Sequence, residues 1–450
     1  MRTFPLLSLC VLLLPAVARP QAPPARLDNW AAWRGPNCDG SAPHGDPPVK
    51  WDEKTNVKWK VEVPGRGSST PVVWGDRVFL LSALDTGRKA APADLPKGDP
   101  RFDKRTKPPQ TYHQFVVLCY DRRSGKELWR HTAAEAVPHE GHHNTHTYAA
   151  YSPVTDGQRL YVHFGSYGVH CYDLDGKRVW TRDLGLLQTR LGWGEGGSPA
   201  LHGDTLVVGR DQEGESYLIA LDARTGATRW KVGRDEKTQW ATPLITEYRG
   251  KVQVVTNGTQ RVRSYDLADG KLLWECGGQT VNAIPSPLRI DDLALCMSGY
   301  RGSMALAIPL GSTGDVTDSK KIAWRYDRGT PYVPSPLLYQ GRLYFTQAND
   351  ALLTVLDART GKALTDRQRL KGVSSFYASP VGAAGRVYFV GRDGTGVVLK
   401  SGDKPEVLAV NKLDDPIDAS PAVVGKQLFL RGEGHLYCLE ANGPAPAGRN

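Results

Sequence analysis

Ser198-Pro-Ala-Leu-His-Gly-Asp-Thr-Leu-Val-Val-Gly209, continued by Ile219-Ala-Leu-Asp222-Ala-Arg-Thr-Gly226-Ala-Thr-Arg-Trp230, is the stretch whose reading decides the fold. A short strand follows the Ser-Pro pair, turns at Gly203-Asp204, and returns as the apolar run Leu206-Val-Val208. A third strand ends in Asp222, a turn passes through Gly226, and a fourth strand carries Trp230. Asp and Gly suit that turn, because Asp bonds its own turn backbone and Gly accepts positive φ without steric cost. The same unit recurs after Pro71, Pro153, Pro199, Pro243, Pro287, Pro336, Pro380 and Pro421, at steps of about 45 residues. The one long step, from Pro71 to Pro153, holds a Pro- and Lys-rich insertion at 84–111. Third strands end likewise in Asp121, Asp173, Asp266 and Asp357, and fourth strands carry Trp129, Trp180 and Trp274, with Trp324 in a looser copy.

Four antiparallel strands per unit of this length are a propeller blade. The eighth copy stops after Leu439 without a fourth strand, while Val57-Lys-Trp59-Lys-Val61-Glu-Val63 stands unclaimed before the first copy. The expectation is an all-β chain: a single eight-bladed β-propeller of four-stranded antiparallel blades, closed by the N-terminal strand completing the last blade. Closure removes exposed sheet edges. Gly 48 and Pro 32 in 450 residues suit a fold of short strands and turns and argue against a large helical protein.

Only the start of the chain is apolar enough to meet a membrane. Arg2, the run Phe4–Leu14 and Ala16-Val17-Ala18 read as a secretory signal, too short for the ~20 residues of a spanning helix. The organisation expected is a signal peptide at 1–18, a leader at 19–56, the propeller at 57–440 and a mobile tail at 441–450. The mature protein is read as exported, periplasmic or extracellular, soluble and monomeric. A net charge of +10 raises nucleic acid as a partner, but the Lys and Arg are spread over turns, and export fits that partner poorly.

Asp222-x-x-Thr-Gly-x-x-x-Trp230 resembles the tryptophan-docking repeat of pyrroloquinoline quinone (PQQ) dehydrogenases, and is similar also to that of the eight-bladed scaffold of bacterial outer-membrane assembly. Trp33-Arg34-Gly35-Pro36, Trp51 and Val57-Lys-Trp59 look like the leader of a group of exported bacterial PQQ-like propellers. The resemblance implies either a scaffold or a quinoprotein. It also implies, for a quinoprotein, a cofactor on the funnel face with a stacked ring and a metal held by Glu, Asn and Asp. No two cysteines are adjacent, unlike the pair many quinoproteins carry above the quinone. The repeat alone assigns no cofactor, because fold does not imply function.

The segments preceding each Ser/Thr-Pro join one blade to the next and so emerge together on one face. They gather Arg66, Trp193, Glu195, Trp240, Asn282, Tyr332, Tyr377 and Asp418, a set richer in aromatics than ordinary loops. Aromatic walls with a few convergent polar groups make a ligand site. Following the resemblance, Glu195, Asn282 and Asp418 are the metal counterparts, Trp193 or Trp240 the stacking ring, and Glu195 or Asp418 the catalytic base of a quinone-dependent dehydrogenase. The plain alternative is that these groups only satisfy loop backbone. His139, His142, His143 and His146 cluster in one linker at spacings that suit a transition metal, against the alternative of a polar loop. Cys119, Cys171 and Cys438 share a column for small core side chains, and Cys276 with Cys296 is a candidate disulfide. No ordered nucleophile, base and acid set stands out. The leading reading is a cell-envelope binding scaffold for a protein or small-molecule ligand. The alternative is a dehydrogenase using PQQ and Ca²⁺ on an alcohol or sugar.

Overall fold

The computed structural model describes residues 26–96 and 106–441. The expected signal peptide and the first residues of the expected leader, the middle of the insertion and nearly all of the expected tail lie outside the described residues.

Eight four-stranded antiparallel sheets follow one another around a ring. In blade 3 the strands are Ala200–His202, Thr205–Arg210, Ser216–Asp222 and Thr228–Arg234, paired in chain order from the axis outward. Middle strands such as Thr205–Arg210 and Ser216–Asp222 are buried almost throughout, because each sheet is packed on both faces by its neighbours. The outer strand Thr228–Arg234 is largely exposed apart from Trp230. The last blade takes Ala422–Val424, Gln427–Arg431 and His435–Glu440 from the end of the chain and Val57–Glu62 from its start. Val57–Glu62 pairs antiparallel with His435–Glu440, which closes the ring.

Two parts of the chain add to the repeat. Blade 4 has a fifth strand, Gly314–Asp315, laid parallel against Leu272–Gly277 by a detour of blade 5. In blade 1 the ends of the 84–111 insertion are sheet: Arg77–Lys89 and Thr111–Asp121 pair as far as Lys89 with Thr111. Thr106–Lys107 pairs with His142–His143 of the next linker.

The tryptophan column explains the turn motif. Each indole lies over the turn glycine of the following blade: Trp59 on Gly125, Trp129 on Gly176, Trp180 on Gly226, Trp230 on Gly270 and Trp324 on Gly361. A Cβ added to Gly226 sits 2.8 Å from the Trp180 ring, and its φ is +74°. The glycine is thus needed for the turn and for the neighbour. The same indole donates Nε1–H to the carbonyl of Ala223 at 3.0 Å, while Asp222 Oδ1 accepts from the amides of Arg224 and Thr225. Trp274 departs from the pattern. It is fully buried and bonds Gln253 of its own blade.

The Ser/Thr before each proline has a comparable role nearer the axis. The amide of Thr70 donates to the hydroxyl of Ser152, Ser152 to Ser198, Ser198 to Thr242, Thr242 to Ser286, Ser286 to Ser335, Ser335 to Ser379 and Ser379 to Ser420, all at 2.8–3.0 Å. Seven bonds thus run from blade to blade. At the seam between the last blade and the first, the Thr70 hydroxyl is buried without a partner.

The leader is more than a lead-in. Trp30 pairs with Val73 of blade 1, and the Arg34 guanidinium donates to the carbonyls of Pro336 and Pro380. Ser41 bridges to Gly382, and Trp51 stacks on Tyr388 of blade 7. It therefore crosses the mouth of the ring opposite the inter-blade linkers. All six cysteines among the described residues are free. Cys119, Cys171 and Cys438 are core thiols, and Cys276 and Cys296 are unbridged thiols in one apolar cluster.

Candidate functional site

The linkers surround a central cavity of about 370 Å³, with Trp33 of the leader on its wall from the opposite side. Trp193, Trp240, Tyr300, Tyr332, Tyr377, His143 and His146 form its aromatic wall, and Ser198, Thr242, Ser379 and Ser420 of the inter-blade hydrogen-bond chain line it lower down. Tyr300 and Tyr332 stack with centroids 4.8 Å apart, and Trp193 meets Tyr300 edge-on at 6.2 Å. Burial pushes the Tyr332 phenol up to about 12, against the pull of a hydrogen bond with Asn282. Opposite, Arg392 lies 3.9 Å over the Tyr377 ring and clamps Asp418 through Nε at 2.7 Å and Nη2 at 3.1 Å. This bidentate pair raises the Arg392 pKa and holds the Asp418 carboxylate in a fixed orientation.

The Gly-rich linker Leu191–Gly197 serves two cavities. Trp193, Gly196 and Gly197 face the central one, whereas Gly194 and Glu195 face a second, smaller void of about 20 Å³. Close approach requires the glycines. A Cβ on Gly194 sits 2.3 Å from the His146 ring, and one on Gly196 sits 2.8 Å from Trp240. Trp240 is fixed by donating Nε1–H to the Gly194 carbonyl at 2.8 Å.

Five of the eight residues read as ligand-binding therefore share the cavity wall: Trp193, Trp240, Tyr332, Tyr377 and Asp418. Three do not. Arg66 is an exposed side chain paired with Glu433 at 2.5 Å where the first blade meets the last. Asn282 is 1% exposed, in a left-handed conformation of φ 58°, and sits behind Tyr332. Glu195 is turned inward, accepting from the Ser166 amide at 2.8 Å and the Ser166 hydroxyl at 2.5 Å. Burial raises its carboxyl pKa against the opposing pulls of His139 and Ser166. The cause is local: Ser166 and Gly165 of blade 2 offer it donors and a Cβ-free surface that the open cavity does not.

The four histidines do not converge. His142 Nδ1 bonds the His143 carbonyl and His143 Nδ1 the Thr145 hydroxyl, each at 2.8 Å. His146 donates to the Glu195 carbonyl at 2.9 Å, and burial pushes its pKa down to about 4. His139 donates Nε2–H to the Leu187 carbonyl at 2.8 Å, on the side of the small void. Among the described residues, the metal-ligating side chains that come together are His139, Glu140 and Glu195. The sequence reading missed Trp33 and Tyr300 on the cavity and Arg392 beside Tyr377 and Asp418. Of these, only Trp33 carried a signal, as part of the leader motif.

The donor set expected for a calcium-bound quinone is not gathered. Of Glu195, Asn282 and Asp418, only Asp418 reaches the cavity, and Arg392 already occupies both of its oxygens. Ca²⁺ takes six to eight oxygen ligands, so the residues as placed do not fit that group.

Comparison with known proteins gives the same architecture. The chain is similar to BamB from Moraxella catarrhalis, with a TM-score of 0.55 and 12% identity over 85% of this chain and 98% of that one. It is similar also to the quinohemoprotein alcohol dehydrogenase of Comamonas testosteroni, with a TM-score of 0.60 and 12% identity over 95% and 82%. In sequence it is 21% identical over 271 residues to a polyvinylalcohol dehydrogenase of a Pseudomonas species. That alignment takes in 49% of this chain and 36% of the enzyme, so the chain spans about a third of that relative's length. The family model described as outer membrane protein assembly factor BamB matches residues 113–362, more than half of the sequence, and the chain belongs to that family.

Proposed function

We propose that this protein is an exported binding propeller of the cell envelope, which holds a small ligand or a segment of a protein partner in its central cavity. The observation that carries the reading is the composition of that wall. Aromatic rings from four different linkers, two of them in stacked or edge-on contact with Tyr300 of a blade 5 turn, stand around the fixed Arg392–Asp418 pair, the mixture of apolar surface and a few convergent polar groups that suits recognition. Tyr332 and the lower ring of hydroxyls supply further hydrogen bonds. Of the two candidate bases, Glu195 faces away from this cavity and Asp418 is held by Arg392.

The competing reading is a PQQ-dependent dehydrogenase, favoured by the dehydrogenases among the relatives. Two experiments separate them. The purified protein is titrated with PQQ in the presence of Ca²⁺ while tryptophan fluorescence is followed, and dye-linked oxidation of alcohols and sugars is assayed. A photo-crosslinking amino acid is also placed at Tyr377 on the cavity and, as a control, at Arg229 on the outer strand of blade 3, and expressed in the envelope. Absence of saturable quenching and a discrete adduct from position 377 alone support the binding role. One-to-one PQQ binding with oxidation overturns it, and no adduct from the cavity removes the protein segment and leaves the small ligand.

A further inference from the structure

The small void between the linkers from blade 1 to 2 and from blade 2 to 3 has the makings of a metal site. A ring nitrogen of His139 and one carboxylate oxygen each of Glu140 and Glu195 lie within 4.8 Å of one another. Beside them is a cavity of about 20 Å³, also lined by Thr147. Such a volume holds one water or one small ion.

Every donor is oriented by a second bond. His139 Nε2 donates to the Leu187 carbonyl at 2.8 Å and lies 3.8 Å from Glu195 Oε1, and its Nδ1 is buried without a hydrogen-bond partner. Glu140, 4% exposed, accepts from the Thr189 amide at 3.2 Å and from the Thr189 hydroxyl. Glu195 is oriented by Ser166.

A further group lines the void without a partner of its own: the Thr147 hydroxyl is buried with no hydrogen bond. Glycine at 165 is required because Glu195 Oε2 occupies the place a Cβ would take, 1.5 Å from it.

We infer that His139, Glu140 and Glu195 bind one divalent transition-metal ion, of the Zn²⁺ or Mn²⁺ kind that one imidazole and two carboxylates suit. A water fills the fourth position, and the ion ties two consecutive linkers beneath the Trp193 wall of the central cavity. The site is distinct from the four-histidine set, whose other members bond elsewhere, and it stands whether or not the central cavity binds a ligand.

The test uses the full mature chain, stripped with chelator, dialysed, and titrated with ZnCl₂ or MnCl₂ by calorimetry, with elemental analysis of the product. One ion per chain and a raised Tm are expected, with affinity reduced about tenfold or more in Glu140→Gln, Glu195→Gln and His139→Ala. His142→Ala and His143→Ala retain the ion. Circular dichroism of each metal-free variant checks folding. Should Glu140→Gln not fold, Glu195→Gln, whose amide oxygen still accepts from Ser166, carries the test. No stoichiometric ion, or binding lost with His142 or His143 but kept without Glu195, overturns the inference.

Discussion

The blade-to-blade chain of Ser/Thr bonds makes a prediction in which one position should behave opposite to the rest of its column. Ser335 is 1% exposed and its hydroxyl accepts the amide of Ser286 at 2.9 Å. Ser335→Ala leaves that buried N–H unsatisfied, which costs about 1–3 kcal/mol. Thr242→Val breaks the bond from Ser198 with almost no change in volume and falls toward the lower end of that range, because Thr242 is only half-buried. Thr70→Val removes a hydroxyl that is fully buried and has no partner, while the Thr70 amide still donates to Ser152. Removing an orphaned buried hydroxyl costs nothing and relieves a desolvation penalty. For roughly 400 ordered residues at ~2.1 cal/mol/K each, the unfolding entropy is about 0.8 kcal/mol/K, so 1–3 kcal/mol corresponds to about 1–4 °C. Scanning calorimetry at neutral pH should show Ser335→Ala and Thr242→Val below wild type and Thr70→Val level with it or above. If Thr70→Val falls as far as the others, its hydroxyl is bonded, the chain of bonds closes across the seam, and the reasoning fails.

Other outcomes follow from the same physics. Gly226→Ala forces a side chain into φ +74° with its Cβ 2.8 Å from Trp180, and should lower stability by about 2–4 kcal/mol, read from Tm, with red-shifted tryptophan emission as the indole is displaced. His163 is fully buried against Tyr151, and burial followed by the charge of Arg210 holds its pKa well below 6.5. The unfolded chain therefore binds the proton first as pH falls below about 6.5, so stability is full above that pH and is lost below it, by about 1.4 kcal/mol per pH unit per such group. His163→Phe should flatten the fall of Tm between pH 6.5 and 4.5, and an unchanged slope would show that His163 protonates in the folded state.

Much of the fold was legible because a propeller repeats its physics. Asp222, Gly226 and Trp230 are a local turn plus one contact with the adjacent blade, so each copy announces itself at a constant spacing. Even the closing strand at Val57–Glu62 could be assigned, since a ring short of one strand leaves one candidate. The linkers were legible only as a set. Their common position placed Trp193, Trp240, Tyr332, Tyr377 and Asp418 around one cavity, but it said nothing of which way each side chain turns.

That orientation is a tertiary decision. Glu195 and Trp193 are two residues apart on one glycine-rich linker, yet they serve different cavities, because Ser166 and the bare backbone of Gly165 draw the carboxylate inward. His139 joins Glu140 and Glu195 while His142, His143 and His146 take separate partners, although all four histidines share one linker. Trp33 reaches the cavity from the leader, across a ring whose diameter no local spacing encodes. The amino-acid sequence by itself determined the blades, their number and their closure, because those rest on turn chemistry and nearest-neighbour contacts. Only the closed ring decided which polar groups meet, because burial and hydrogen-bond geometry are set by residues hundreds of positions apart.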